Sequence, residues 1–240
     1  MSRLMLISLT TCCLVIGCMS GTDDTTPPTL AGLPPAGVPA KGIYQAEFIT
    51  THGKFLVEVN REWAPIGADR FYQLIKDQFF DDSGFFRVVP GFVVQFGLPA
   101  DPAMNEKWSQ GLQDEPVLQS NERGFLTFAK SSAPNSRTTQ LFISYADNDR
   151  LDEMGFSAFG QVIDGMDVVD QINSEYGEQP QQPSIEIQGN AYLQSEFPNL
   201  SYIQTARIVK DDLNTESAPK PAPESESSTE ETESEPNPVE

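Results

Sequence analysis

The sequence predicts a mainly β fold, a closed antiparallel barrel plugged by helices, over about residues 41–210. Three observations carry this. Eight short runs in that span are apolar or alternate apolar with polar residues, and turn-forming pairs such as His52-Gly53 and Pro90-Gly91 punctuate them. Only two segments carry helical spacing. Strands and helices do not alternate regularly, as they would in a doubly wound sheet.

Taken in order, residues 44–50 and 54–59 read as strands joined at the His52-Gly53 turn. Residues 64–77 read as a helix. Pro65 falls in its first turn, where a missing N–H breaks no helical bond, and Ala68, Phe71, Leu74 and Ile75 share one face. Strands follow at 85–89, 92–96, 125–129, 141–145 and 157–162. A second helix at 165–172 gathers Val168, Val169 and Ile172 on one face, and residues 202–209 close the domain as a last strand.

The flanks have a different character. Residues 1–17 hold one basic residue and then an apolar run of signal-core length, too short to span a bilayer comfortably. The run ends in Val15-Ile16-Gly17-Cys18, which resembles the bacterial lipobox. That resemblance implies cleavage before Cys18, lipidation of its sulfur, and anchoring on an extracytoplasmic face of a bacterial membrane, periplasmic or cell-surface. Residues 18–40 are rich in Thr, Pro and Gly and read as a tether. Residues 211–240 carry ten acidic residues against one lysine and no aromatic residue, so they are expected to stay a disordered, solvated tail.

Composition prunes the functions. A net charge of −20 argues against nucleic acid or an anionic membrane as an electrostatic partner. All three cysteines precede residue 19, so the domain has neither a disulfide framework nor a thiolate nucleophile. His52 is the single histidine, which removes Cys-His zinc sites and leaves one residue for any Ser-His pair. The acids Asp147, Asp149, Asp152 and Glu153 do not fit EF-hand spacing and read as a solvated loop. No metal and no cofactor is expected, and the protein is expected to be a monomer.

Residues 84–97, GFFRVVPGFVVQFG, hold a guanidinium and an amide among apolar neighbours. On an extended segment Phe85, Arg87 and Val89 share a face, and Val93 shares one with Gln95. Buried, the arginine would cost free energy without a partner. In a barrel wall, Arg87 and Gln95 can instead project outward beside Val93. Taken alone, Arg87 reads more simply as an exposed strand arginine lying over apolar neighbours. A second stretch, residues 124–144, places a long polar loop between two aromatic-bearing strands.

Together these stretches resemble the cyclophilin-type peptidyl-prolyl isomerases. FFRVVPGFVVQFG is similar to the family's F-H-R-V-I-P-G-F-x-x-Q-G-G, and residues 129–143 to its A-[KR], P-N-S and T-x-Q-x-F-I pattern. RLDEMGFSAFGQVIDGMDVVDQI is similar to its leucine-aspartate loop, V-F-G-x-V strand and following helix, and THGKFLVEVNREWAPIGADRFYQLI to its first hairpin and helix. The resemblance runs in order through nearly all of residues 43–210. It implies an eight-stranded barrel capped by two helices, acting on proline-containing polypeptides.

Carried over by position, Arg87 matches the catalytic arginine and Gln95 the glutamine that supports it. Phe92 and Val93 match the next pocket positions, the second usually methionine. Ala129 and Lys130 match the pair whose backbone lines the substrate groove, Gln140 and Phe142 the polar and aromatic positions of Q-x-F, and Leu151 the pocket rim. Phe156 falls where histidine or tyrosine is frequent. The chain departs from the pattern at Phe86 (for histidine), Phe96 (for glycine), Leu98 (for aspartate) and Arg150 (often tryptophan).

The chemistry implied needs no proton transfer. Amide resonance sets a rotation barrier of about 18–20 kcal/mol, and catalysis needs a slot for the proline ring and a donor to the twisted bond. The resemblance therefore implies a prolyl isomerase assisting the folding of extracytoplasmic proteins. The alternatives are a proline-peptide-binding module without turnover, or a lipoprotein whose barrel is a scaffold for its tail.

Overall fold

A computed structural model of the chain describes residues 42–211. The signal, Cys18, the tether and all of the acidic tail except Asp211 lie outside the described residues. In chain order the elements are β1 (Ile43–Thr50), β2 (Gly53–Asn60), α1 (Pro65–Lys76), β3 (Arg87–Val89), β4 (Val93–Phe96), α2 (Met104–Trp108), β5 (Phe125–Phe128) and β6 (Leu141–Ser144). They continue with α3 (Arg150–Glu153), β7 (Ala158–Asp164), α4 (Met166–Asp170), α5 (Gln182–Gln188), α6 (Asn190–Glu196) and β8 (Ile203–Asp211).

The eight strands form one antiparallel sheet in the order β3-β4-β6-β5-β7-β2-β1-β8. A lone antiparallel bridge, Gly84 with Tyr202, links the chain ahead of β3 to the chain ahead of β8. Hydrogen bonds from Phe85 N to Ser201 O (3.0 Å) and from Ile203 N to Ser83 O (2.9 Å) flank it.

Alternation in the first hairpin explains its place in the sheet. Tyr44, Ala46 and Phe48 on β1 and Phe55, Val57 and Val59 on β2 are all buried on one face. Phe48 stacks on Phe55 with ring centroids 4.9 Å apart, and Phe71 from α1 meets Phe159 of β7 edge-on at 5.3 Å. Each such ring contributes roughly 1.5–3 kcal/mol by leaving water. Helix α1 buries Ala68, Phe71, Leu74 and Ile75 as its spacing predicts. It also buries Arg70, whose guanidinium donates to the carbonyls of Trp108, Gln110 and Thr138.

Two expectations need correction. Six helices, not two, are present among the described residues. α1 and α4 are the two that the helical spacing marks; α2 and α3 have five residues or fewer, and α5 and α6 are seven-residue helices split at Gly189, too short to display a period. Gly189 has φ +55°, and a Cβ there would collide with the Ala100 carbonyl, so the break is built in. Ile185, Leu193, Phe197 and Leu200 from this segment form a second apolar cluster with Phe86 and Leu98. The other correction concerns Phe85, which does not share a face with Arg87. β3 begins only at Arg87, and Phe85 turns into the main core with Val88, Val94 and Phe96.

Candidate active site

The β3–β4 ladder opposes Arg87 to Gln95 and Val89 to Val93, and β4–β6 opposes Gln95 to Phe142. Val88, Val94 and Phe96 fill the main core, so alternation turns Arg87, Val93, Gln95 and Phe142 outward. There Val93 and Phe142 pack with Leu151 of α3 as a small buried cluster, flanked by Phe92, Ala129 and Phe156. This is the floor of an open groove of about 420 Å³. Arg87, Phe92, Val93, Gln95, Ala129, Lys130, Gln140, Phe142, Leu151 and Phe156 all line it. Every carried-over groove residue is thus brought together.

Arg87 is held at the rim. Its Nη1 donates to Gln95 Oε1 at 3.4 Å, and Gln95 Nε2 donates to Gln140 Oε1 at 2.8 Å. The relay settles which way the Gln95 amide faces, because only its oxygen can accept from a guanidinium. Two cations lie over the Phe92 ring, the Arg87 guanidinium 5.6 Å and that of Arg150 4.8 Å from its centroid. Lys130 Nζ lies 5.4 Å over Phe156, whose ring meets Phe142 edge-on at 5.8 Å.

The walls are pinned from behind. Phe92 O accepts from Tyr145 N (2.8 Å) and Asn148 Nδ2 (3.1 Å), which fixes the turn that presents its ring. Next to Leu151, Asp152 accepts from Ser120 Oγ and from the backbone and side-chain nitrogens of Asn121. Burial alone would raise this carboxyl, but those hydrogen bonds outweigh it and hold Asp152 below the ordinary carboxylate value. Asn121 also donates to Phe156 O at 2.8 Å, so one buried network carries both Leu151 and Phe156.

Sequence reasoning missed four polar positions of the groove, Ser131, Ser136, Thr138 and Gln182, and a partner of Arg87, Glu178. The serines and Thr138 lie in the polar loop already singled out, so their position was the available signal. Glu178 and Gln182 sit in a stretch with no assigned element and had none. His52 does meet a serine, with Nε2 2.7 Å from Ser201 Oγ, but that oxygen also accepts from Asn173 N and neither residue lines the groove.

The family model for cyclophilin type peptidyl-prolyl cis-trans isomerase/CLD matches residues 46–190. The chain belongs to the cyclophilin family. Over 148 residues this cyclophilin is 38% identical to a peptidyl-prolyl cis-trans isomerase of Acinetobacter baylyi, covering 55% of the chain and 74% of that protein. It is 34% identical over 138 residues to peptidyl-prolyl cis-trans isomerase B of Escherichia coli, covering 52% of the chain and 81% of that protein. A cyclophilin type isomerase of Cryptosporidium parvum, solved in the presence of the dipeptide Ala-Pro, shares the fold with a TM-score of 0.52 and 22% identity. That likeness covers 70% of this chain and 98% of the other.

Two departures from the cyclophilin pattern now have a physical reason. Phe86 and Leu98 are apolar because the α5–α6 layer covers them. A histidine and an aspartate in those places would be buried against Leu193 and Phe197 and would need partners. Phe96 is likewise a core residue, touching Phe48, Phe80 and Phe85 edge-on.

Proposed function

We propose that this cyclophilin rotates X-Pro bonds of extracytoplasmic polypeptides in this groove, with Arg87 as the donor to the twisted bond and Gln95 positioning it. The observation that carries the reading is the ladder register. It sets a fixed guanidinium at the edge of an apolar floor, Val93, Phe142 and Leu151, on which a proline ring can rest. As the amide twists, conjugation is lost, the prolyl nitrogen regains its lone pair and the carbonyl charge changes. A donor already oriented there stabilises that state without reorganising. The ring is held by contact while the bond turns, so no proton moves and no covalent bond forms. The Ala-Pro dipeptide named with the Cryptosporidium structure supports a small X-Pro unit as the occupant. Reading the sheet as a closed barrel is supported by the Gly84–Tyr202 bridge between the chain ahead of β3 and the chain ahead of β8, its two end strands.

A coupled isomerisation assay on the purified protein tests the reading with X-Pro tetrapeptides differing before proline. We expect the slow cis-to-trans phase to accelerate in proportion to enzyme. Saturable binding of the same peptides without acceleration would make the chain a proline-peptide-binding module instead.

The proposed location rests on Cys18. Replacing it by alanine should release the protein from the membrane fraction or leave the signal uncut, because the lipidated sulfur is gone. Fractionation with membranes as in wild type, with the signal removed normally, would refute the lipid anchor.

A further inference from the structure

We infer that Glu178 is a second positioning residue for Arg87, supplied by the segment between α4 and α5; the inference rests on the isomerase reading of the groove. One carboxylate oxygen of Glu178 accepts from Arg87 Nε at 2.7 Å and lies 2.6 Å from Nη2. Both distances are shorter than the 3.4 Å bond from Nη1 to Gln95. Gln95 alone is a loose hold on a side chain with several free rotations. The acid supplies the firmer one, from the opposite edge of the guanidinium. An arginine has five N–H donors, so this grip still leaves one on each terminal nitrogen uncommitted and able to meet a substrate.

The carboxylate is delivered by a built segment. Val88 N, next to Arg87 in β3, donates to Gly177 O at 3.0 Å, which ties the turn to the strand beside the groove. Tyr176 packs its ring on Phe197 at 5.1 Å and accepts from Asn199 N at 3.2 Å. Tyr176 of the same segment also packs against the cluster that holds Phe86, and Gln182, the first residue of α5, reaches the groove wall. One added layer therefore replaces polar groups behind the arginine with packing and sends a carboxylate round to hold it from the side.

A carboxylate beside the donor has two opposed effects. It fixes the guanidinium plane, and it cancels part of the positive field felt by a twisting amide. The Glu178 side chain is 63% exposed, so water and salt screen the second effect, and they weaken the first only in so far as they open the ion pair. Positioning therefore wins, with a modest size set by the exposure of the pair.

The test uses the full-length protein, Glu178→Ala and Glu178→Gln, each also combined with Arg87→Ala. Glu178→Ala should lower kcat by about twofold to fivefold with KM within about twofold, the range an exposed ion pair can supply. Glu178→Gln should recover most of the loss, because its carbonyl still accepts from Nε. On the Arg87→Ala background, Glu178→Ala should cost nothing further, since the residue acts through Arg87. In proton–nitrogen correlation spectra the Arg87 Nε–H should be protected from solvent exchange in wild type and Glu178→Gln and fast-exchanging in Glu178→Ala. A Glu178→Ala enzyme as fast as wild type or faster, an equal loss without Arg87, or unchanged Nε–H exchange would overturn the proposal. If wild type turns over no X-Pro peptide, the isomerase reading fails by itself, and the exchange measurement still decides whether Glu178 holds Arg87.

Discussion

Arg87→Ala should lower kcat/KM on an X-Pro peptide by about 10²-fold or more, the scale for losing one preorganised donor to a transition state. The fold should survive. The side chain stands on the outer face of β3, is 26% exposed, and contributes nothing to the main core. Its ion pair with Glu178 is open to solvent and stabilises the fold by no more than about 1 kcal/mol. Peptide binding should weaken far less than turnover, because Val93, Phe142 and Leu151 still hold the ring and only the twisted state loses its partner. Arg87→Lys should restore little. An ammonium is a point charge that cannot donate to Glu178, Gln95 and a substrate through one planar fork. Isomerisation rates measured beside thermal melts decide the matter. A mutant that melts normally and isomerises at the wild-type rate would show that Arg87 is not the donor.

The centre of the groove was legible in the sequence because Arg87, Val93, Gln95 and Phe142 lie on regular strands. Period-two alternation is enough to send Arg87 and Gln95 one way and Val88 and Val94 the other, and the four linked motifs then name the remaining walls. The strand interiors and α1 were legible for the same reason, since Ala68, Phe71, Leu74 and Ile75 recur at helical spacing. What could not be read was built from pieces shorter than a period. α5 and α6 present a few apolar residues each, interrupted at Gly189, and their apolar partners Phe86 and Leu98 lie far back in the chain. Phe86 and Leu98 were visible only as departures from a family pattern, and the cluster that explains them is a tertiary fact. Glu178 is similar. A glutamate in a polar stretch after a glycine resembles any solvated loop residue until the loop is placed beside β3. Buried charge was hidden too. Nothing local distinguishes Arg137, 1% exposed, from the surface arginines around it.

Glu115→Ala should destabilise the fold by about 3–5 kcal/mol, the range for leaving one charge of a buried pair uncompensated. The Arg137 and Glu115 side chains are 1% and 4% exposed, with Nη1 and Oε2 3.0 Å apart. Nη2 of Arg137 donates to Gln113 O, and its Nε is buried without a partner, so the guanidinium has no reserve if the carboxylate leaves. Glu115 also serves α1, accepting from Ile66 N at 2.7 Å and Gly67 N at 3.0 Å in the first turn, where backbone donors have no helical partner and a negative charge is favourable. Its own carbonyl accepts from Ser157 Oγ at 2.6 Å, ahead of β7. One carboxylate therefore ties a helix start to the polar loop that carries Ser136 and Thr138 into the groove, while the backbone of the same residue holds the start of β7. For a folded region of this size each kcal/mol shifts Tm by about 2–4 °C, so a fall of about 6–20 °C is expected in a thermal melt. Glu115→Gln should lose less, because the amide oxygen can still accept from one of the two helix N–H groups. Adding Arg137→Met to Glu115→Gln should recover part of that loss by removing the stranded charge. Lys54→Ala, which breaks the exposed Lys54–Glu47 pair, should change stability by less than about 1 kcal/mol. A Glu115→Ala protein that melts within about two degrees of wild type would mean that Arg137 finds other compensation, and that the groove's polar wall does not depend on this pair.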